Sequence, residues 1–127
     1  MPTTKLLLPV SDACVLARRF APHAVLHSDG VQLLGKAPFS FAESGLDFFS
    51  LSGHKFGALT GVGAIVARRE CALSPLPVGG AQERRMRSGT ENVLGIVSMG
   101  EAARVAEREG GDRHARLEAL RDRFERE

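Results

Sequence analysis

Three short apolar runs limit what this chain can fold into. Ala24-Val25-Leu26-His27-Ser28-Asp29 stops at a polar residue, as a buried strand does. Leu46-Asp47-Phe48-Phe49-Ser50-Leu51 reads as a second strand and residues 63–68, around Ala64-Ile65-Val66-Ala67, as a third. The segments around them have helical spacing. Ser11-Asp12 starts a helix with Ala13, Leu16, Ala17 and Phe20 on one face, and Pro22 ends it. Thr90 or Ser88 caps a long helix carrying Val93, Ile96, Val97, Gly100 and Ala103, and Gly110-Gly111 breaks it. Leu117, Leu120 and Phe124 mark one face of a last, strongly charged helix. The connections are rich in glycine and proline: Gly30 to Lys36 turns, Pro38 keeps the next stretch irregular, and residues 72–89 read as loop.

Strands alternating with helices define an α/β protein with a mainly parallel sheet. Three apolar strands alone leave two long unpaired edges, which natural proteins avoid. The expectation is therefore part of a larger domain, or a chain that needs partner segments to complete its sheet.

Composition narrows the function classes. The 127 residues amount to one domain's worth, and a formal net charge of +2 is too small to call for a nucleic-acid or membrane partner. No apolar run approaches the roughly 20 residues that span a bilayer. The N-terminal Leu6-Leu7-Leu8 is too short for a secretory signal, so the cytoplasm is the expected compartment. Cys14 and Cys71 are isolated, which argues for neither a zinc site nor a disulfide framework. His23 and His27 are four apart, but Pro22 and the strand after it keep them off one helical face, so no metal is expected there.

Chemistry concentrates in three clusters. Ser52-Gly53-His54-Lys55 directly follows the second strand, and ligands of open α/β sheets bind at the carboxyl ends of strands. A lysine amine there is suited to Schiff-base formation if burial or a nearby cation lowers its pKa, with Ser52 and His54 suited to phosphate oxygens. An ordinary surface turn is the alternative. Asp29-Gly30-Val31-Gln32 closes the first strand. Its carboxylate fits a protonated pyridine nitrogen, keeping the ring an electron sink, and Gln32 fits a phenolate oxygen. The alternative is an Asp that caps the following helix. Arg84-Arg85-Met86-Arg87-Ser88-Gly89-Thr90 opens the long helix, where backbone N–H groups attract anions, unless it is a solvated basic loop. No aromatic residues interleave with its arginines, so it is weak support for nucleic acid. Gly57 to Gly63 is loosely dinucleotide-like but leads into a strand, the wrong order for that fingerprint. Cys71 reads as a small apolar filler rather than a nucleophile.

Order and spacing together are more specific than any one cluster. His27-Ser28-Asp29-Gly30-Val31-Gln32-Leu33-Leu34-Gly35-Lys36, Ser50-Leu51-Ser52-Gly53-His54-Lys55-Phe56, Gly61-Val62-Gly63-Ala64, Gly79-Gly80-Ala81-Gln82-Glu83-Arg84 and Arg87-Ser88-Gly89-Thr90-Glu91-Asn92 succeed one another. Together, over about residues 8–108, they resemble the cysteine desulfurase (NifS/IscS-like) family of the class V aminotransferases. The Gly-His-Lys turn is shared across much of the class. The Arg-Ser-Gly-Thr-Glu-Asn stretch points to desulfurases and the related selenocysteine lyases.

The resemblance implies part of the large domain of a fold-type I transferase that uses pyridoxal 5'-phosphate. Lys55 would be the Schiff-base lysine and the proton shuttle at the substrate's α-carbon. Asp29 would pair with the pyridine nitrogen, Gln32 with the phenolate oxygen, and Ser52 and His54 with the phosphate. Thr90 would reach the phosphate of a neighbouring subunit's cofactor, so a homodimer is implied. The reaction would take sulfur from L-cysteine, leaving alanine and a persulfide for iron–sulfur scaffold or sulfur-acceptor proteins. The family's chain is much longer. The parts before and after this stretch, with the stacking histidine, the persulfide-forming cysteine and the arginine for the substrate carboxylate, have no counterpart here. Gly57-Ala58-Leu59-Thr60 also departs from the family's usual turn after the lysine. The expectation is a fragment that carries the cofactor anchor. Another class V activity (selenocysteine lyase or aminotransferase-like), or a non-catalytic remnant that binds a partner through Arg84, Arg85 and Arg87, stays open at this point.

Overall fold

The computed structural model describes residues 8–75 and 79–126. Readings that fall on residues 1–7, and on Pro77 within the expected loop, lie outside the described residues. The elements run α1 (Val10–Phe20), β1 (His27–Asp29), β2 (Phe48–Ser52), a 3-10 turn (Gly53–Lys55), β3 (Gly63–Ala67), α2 (Gln82–Arg85) and α3 (Val93–Arg126).

The strands form one sheet in the order β1-β2-β3. β1 and β2 are parallel, with His27 opposite Phe48 and Asp29 opposite Ser50. β2 and β3 are antiparallel, with Phe48 opposite Ala67 and Ser52 opposite Gly63. The α/β class stands, but the sheet is mixed rather than mainly parallel. The reason lies in the connections. Residues 30–47 between β1 and β2 are long enough for a crossover, whereas residues 53–62 are too few for the dozen or more that a parallel return needs.

Alternation along β2 sends Phe49 and Leu51 to one face and Phe48, Ser50 and Ser52 to the other. The first face holds the core. Phe49 is 3% exposed and clusters with Cys14 of α1 and Leu46. The Phe39 ring stacks on it, centroids 4.6 Å apart, so the crossover supplies its own cover. Two charged groups bind the rim at the amino end of β2. Asp47 accepts the Leu26 N–H at 2.7 Å and pairs with Arg18 at 2.6 Å. The Arg68 guanidinium donates to the Leu46 and Ala42 carbonyls at 2.6 and 3.0 Å and lies over the Phe41 ring. The opposite face carries Ile65, 66% exposed, with His27 and Asp29 also open. The strands are thus packed on one face among the described residues, not on both.

Two helical expectations change. α3 runs unbroken for 34 residues through Gly110 and Gly111. Each glycine costs a helix interior only about 1 kcal/mol relative to Ala, too little to stop one flanked by strong formers. Its N-cap is Asn92, not Thr90 or Ser88: the Asn92 Oδ1 accepts the Gly95 N–H at 3.0 Å, the bond an N-cap makes to the third helical residue. The expected loop before it contains the single turn α2, with Glu83, Arg84 and Arg85 all at positive φ.

Candidate functional site at the carboxyl ends of the strands

The carboxyl ends of β1 and β2 and the start of β3 lie at one edge of the sheet, because β1 and β2 are parallel and β3 pairs in reverse. The Gly30 N–H donates to the Ser50 carbonyl at 2.9 Å, which fixes the end of β1 beside β2. Asp29 therefore sits across from Ser50, two residues before Ser52.

Its carboxylate is exposed, and Oδ1 accepts the Val31 N–H at 2.9 Å. That bond caps a turn rather than the helix expected after Asp29, since residues 31–36 form turns, and it leaves Oδ2 available. Gln32 accepts through Oε1 from the Lys36 ammonium, so its amide nitrogen is left to donate elsewhere.

Beyond Ser52 the chain turns through Gly53, which is buried. A Cβ at Gly53 would meet Val62 Cγ1 at 2.9 Å and Ala58 Cβ at 3.0 Å, so only glycine fits. The Gly53 N–H donates to the Val62 carbonyl at 3.0 Å, and its carbonyl accepts from Phe56 and Ala58 at 3.1 and 3.0 Å. This tight knot lifts His54 and Lys55 outward, and both are exposed. The Ser52 hydroxyl and His54 Nδ1 are 3.0 Å apart. Lys55 is exposed and makes no hydrogen bond or ion pair with any described residue, so neither the burial nor the neighbouring cation looked for in the sequence is found at its amine among the described residues.

α3 reaches the same edge. Asn92 Nδ2 donates to the Gly61 carbonyl at 3.3 Å, and the Leu59 N–H donates to the Ser98 hydroxyl at 2.8 Å. An open cleft lies between the two segments, lined by Gly61, Val62, Gly63, Arg87, Thr90 and Asn92 among others. Thr90 thus stands on the cleft beside the Gly61–Gly63 turn, while Asp29, Ser52, His54 and Lys55 gather at the strand ends. The Arg87 guanidinium is taken up by its own loop, donating to the Ser88 and Gly89 carbonyls at 3.2 and 2.9 Å. Arg84 and Arg85 remain exposed.

The two cysteines lie elsewhere. Cys14 is in the core. Cys71 follows β3 at the far end of the sheet, where burial, and then the charge of Asp47, push its thiol above the usual range. No cluster of three or more metal-ligating side chains occurs among the described residues. No helix of the described residues is long and apolar enough to cross a membrane.

Sequence reasoning quoted Asn92 only within the Arg87–Asn92 stretch, without a role, and missed Ser98. Asn92 had a legible signal, since it directly precedes the apolar set starting at Val93 and Asn is among the strongest N-caps. The contact of Ser98 with Leu59 depends on tertiary placement and leaves no local trace.

Residues 6–124 match the family described as aminotransferase class-V. The chain belongs to that family. It is 44% identical over 118 residues to an IscS-like cysteine desulfurase of Mycobacterium tuberculosis (strain ATCC 25618 / H37Rv), a match covering 93% of this chain and 30% of the relative. A cysteine desulfurase of Gluconacetobacter diazotrophicus is 43% identical over 122 residues, covering 96% and 30%. Among solved structures, a NifS-like protein superposes with a TM-score of 0.87 at 38% identity, covering 91% of this chain and 32% of that one. A NifS-like protein from Rickettsia africae gives 0.89 at 31% identity, covering 95% and 33%. The chain therefore spans about 30% of the length of the curated relatives it matches.

Proposed function

We propose that this chain carries the cofactor anchor of a pyridoxal-phosphate cysteine desulfurase, with Lys55 as the anchoring residue. The observation that carries the reading is the placement of Lys55, exposed and two residues beyond the buried Gly53, at the end of the sheet where Asp29 ends β1. The donor set fits a phosphorylated pyridine aldehyde: an amine for the carbonyl carbon, a carboxylate for the ring nitrogen, and hydroxyl and imidazole groups for the phosphate. The names of the curated relatives support the desulfurase assignment within the family.

When bound, the cofactor supplies an electron sink for charge that develops at the substrate's α-carbon. The residues of this chain hold and steer it. Lys55 would hold the cofactor at its aldehyde carbon and, once the substrate amine had taken its place there, would move the proton at the α-carbon of L-cysteine. Asp29 would hold the protonated ring nitrogen through its carboxylate, and the Gln32 amide would donate to the phenolate oxygen. Ser52 and His54 bind phosphate oxygens. Thr90 binds the phosphate of a neighbouring subunit's cofactor. Val93, Leu94 and Val97 beside it are 63, 76 and 65% exposed, which supports a homodimer contact there.

Sulfur removal also needs a thiolate to take the sulfur as a persulfide, leaving alanine. Cys14 is buried, and Cys71 follows the opposite end of the sheet from Lys55, with its thiol pushed above the usual range. The sulfur-accepting cysteine is therefore supplied from outside these 127 residues, as is delivery to a scaffold or acceptor for iron–sulfur assembly. The cytoplasm is in keeping with this role.

The chain mixed with pyridoxal phosphate is expected to develop a visible absorbance band that Lys55→Ala lacks, without releasing sulfide from L-cysteine at rates near ~1 per second. An equal band in Lys55→Ala sinks the reading.

A further inference from the structure

We propose that Asn92 is a positioning residue that latches the turn behind Lys55 to the start of α3, and so sets Lys55 relative to Thr90. The proposal rests on the reading of Lys55 and Thr90 as cofactor contacts.

Asn92 uses both ends of its amide. Its Oδ1 accepts the Gly95 N–H at 3.0 Å, which caps α3, while its Nδ2 donates to the Gly61 carbonyl at 3.3 Å, across to a different segment. The cap alone needs only the oxygen. The second bond holds the residue after Gly61, Val62, which is wedged between two buried glycines. A Cβ at Gly53 would meet Val62 Cγ1 at 2.9 Å, and a Cβ at Gly95 would meet Val62 Cβ at 3.0 Å. The Val62 carbonyl in turn accepts the Gly53 N–H at 3.0 Å. A short relay therefore runs from Asn92 through Gly61 and Val62 to Gly53, two residues before Lys55. Thr90 is two residues before Asn92 at the other end of the relay. Gly61 is at φ +79, so its carbonyl is presented from a left-handed turn rather than from a strand ladder. Without Asn92 Nδ2, among the described residues only the Leu59–Ser98 bond ties this turn to α3 by a hydrogen bond.

Asn92→Asp separates the two functions of the side chain. Aspartate caps a helix as well as asparagine does. It has no N–H to give to Gly61, and it sets a carboxylate oxygen against that carbonyl. In Asn92→Asp the Gly95 amide and the helicity of α3 should match the wild type. Hydrogen exchange at the Gly53 amide should rise about 3- to 10-fold, and pyridoxal-phosphate retention at Lys55 should fall by a similar factor, the worth of one hydrogen bond. Asn92→Ala should lose both the cap and the latch. If Asn92→Asp retains wild-type Gly53 exchange or wild-type cofactor retention, Asn92 is a cap only and the proposal is overturned. If the wild type itself takes no cofactor at Lys55, the functional reading falls and the positioning role with it, an outcome distinct from failure of the variant alone.

Discussion

Gly30 and Phe49 share one space. A Cβ at Gly30 would lie 1.7 Å from the tip of the buried Phe49 ring, so the small residue that ends β1 is the condition for the large one at the centre of the core. Gly30→Ala should cost about 1–3 kcal/mol of stability through overpacking. Trimming the ring should relieve it, so Gly30→Ala with Phe49→Leu should be less destabilised than the sum of the two single variants. Additive losses in a double-mutant cycle by thermal or urea unfolding would show that the two do not compete. Asp47 makes a second residue-scale prediction. The Leu26 N–H, then Arg18, hold its carboxyl below its ordinary value of 3.8. Its folded pKa is depressed, so its contribution is fully present above the unfolded value and is lost as pH falls through the folded one. The stability gap between wild type and Asp47→Asn should be widest near neutrality and close below about pH 4. A gap that holds constant into acid would contradict the assignment. The proposed anchor residues were legible because each sits at a break in an apolar run: Asp29 where β1 stops, and Lys55 beyond the glycine that follows β2. The partner of Asp47 was not, since Arg18 and Leu26 reach it only through folding.

The elements were legible to different degrees, for physical reasons. α1 and the three strands follow hydrophobic spacing, and they lie close to where that spacing put them. Strand direction did not follow, because apolar runs record burial and not orientation; the short span 53–62 was the clue that β3 returns antiparallel. The break expected at Gly110-Gly111 failed because intrinsic propensity is weak beside the continuous helix-forming sequence around it. Nothing lies within 4 Å of a Cβ built at either glycine. Replacing both with Ala should therefore stabilise α3, by roughly 1 kcal/mol per site, and raise helical content by circular dichroism. A loss of stability would mean that the helix does break there.

At the scale of the whole molecule, the apolar surface is distributed unevenly. Phe49 and Leu46 are sealed under the crossover, while Val25 and Ile65 on or beside the sheet are 69 and 66% exposed, and Leu94 and Phe124 on α3 are 76 and 81% exposed. Surface of that kind, with an open strand edge, favours association. Size-exclusion chromatography of the 127-residue chain should show concentration-dependent self-association. A monodisperse monomer with a sharp melting transition would favour the stand-alone binding module that the sequence left open. The central claim, however, concerns one side chain. The lysines are Lys5, Lys36 and Lys55, so a chemical tag can discriminate among all of them. Borohydride reduction of the chain mixed with pyridoxal phosphate, followed by peptide mass mapping, should place the pyridoxyl group on Lys55, with Lys5 and Lys36 essentially unlabelled. Labelling spread evenly over the three lysines, or unchanged in total when Lys55 is replaced by Ala, would contradict the account.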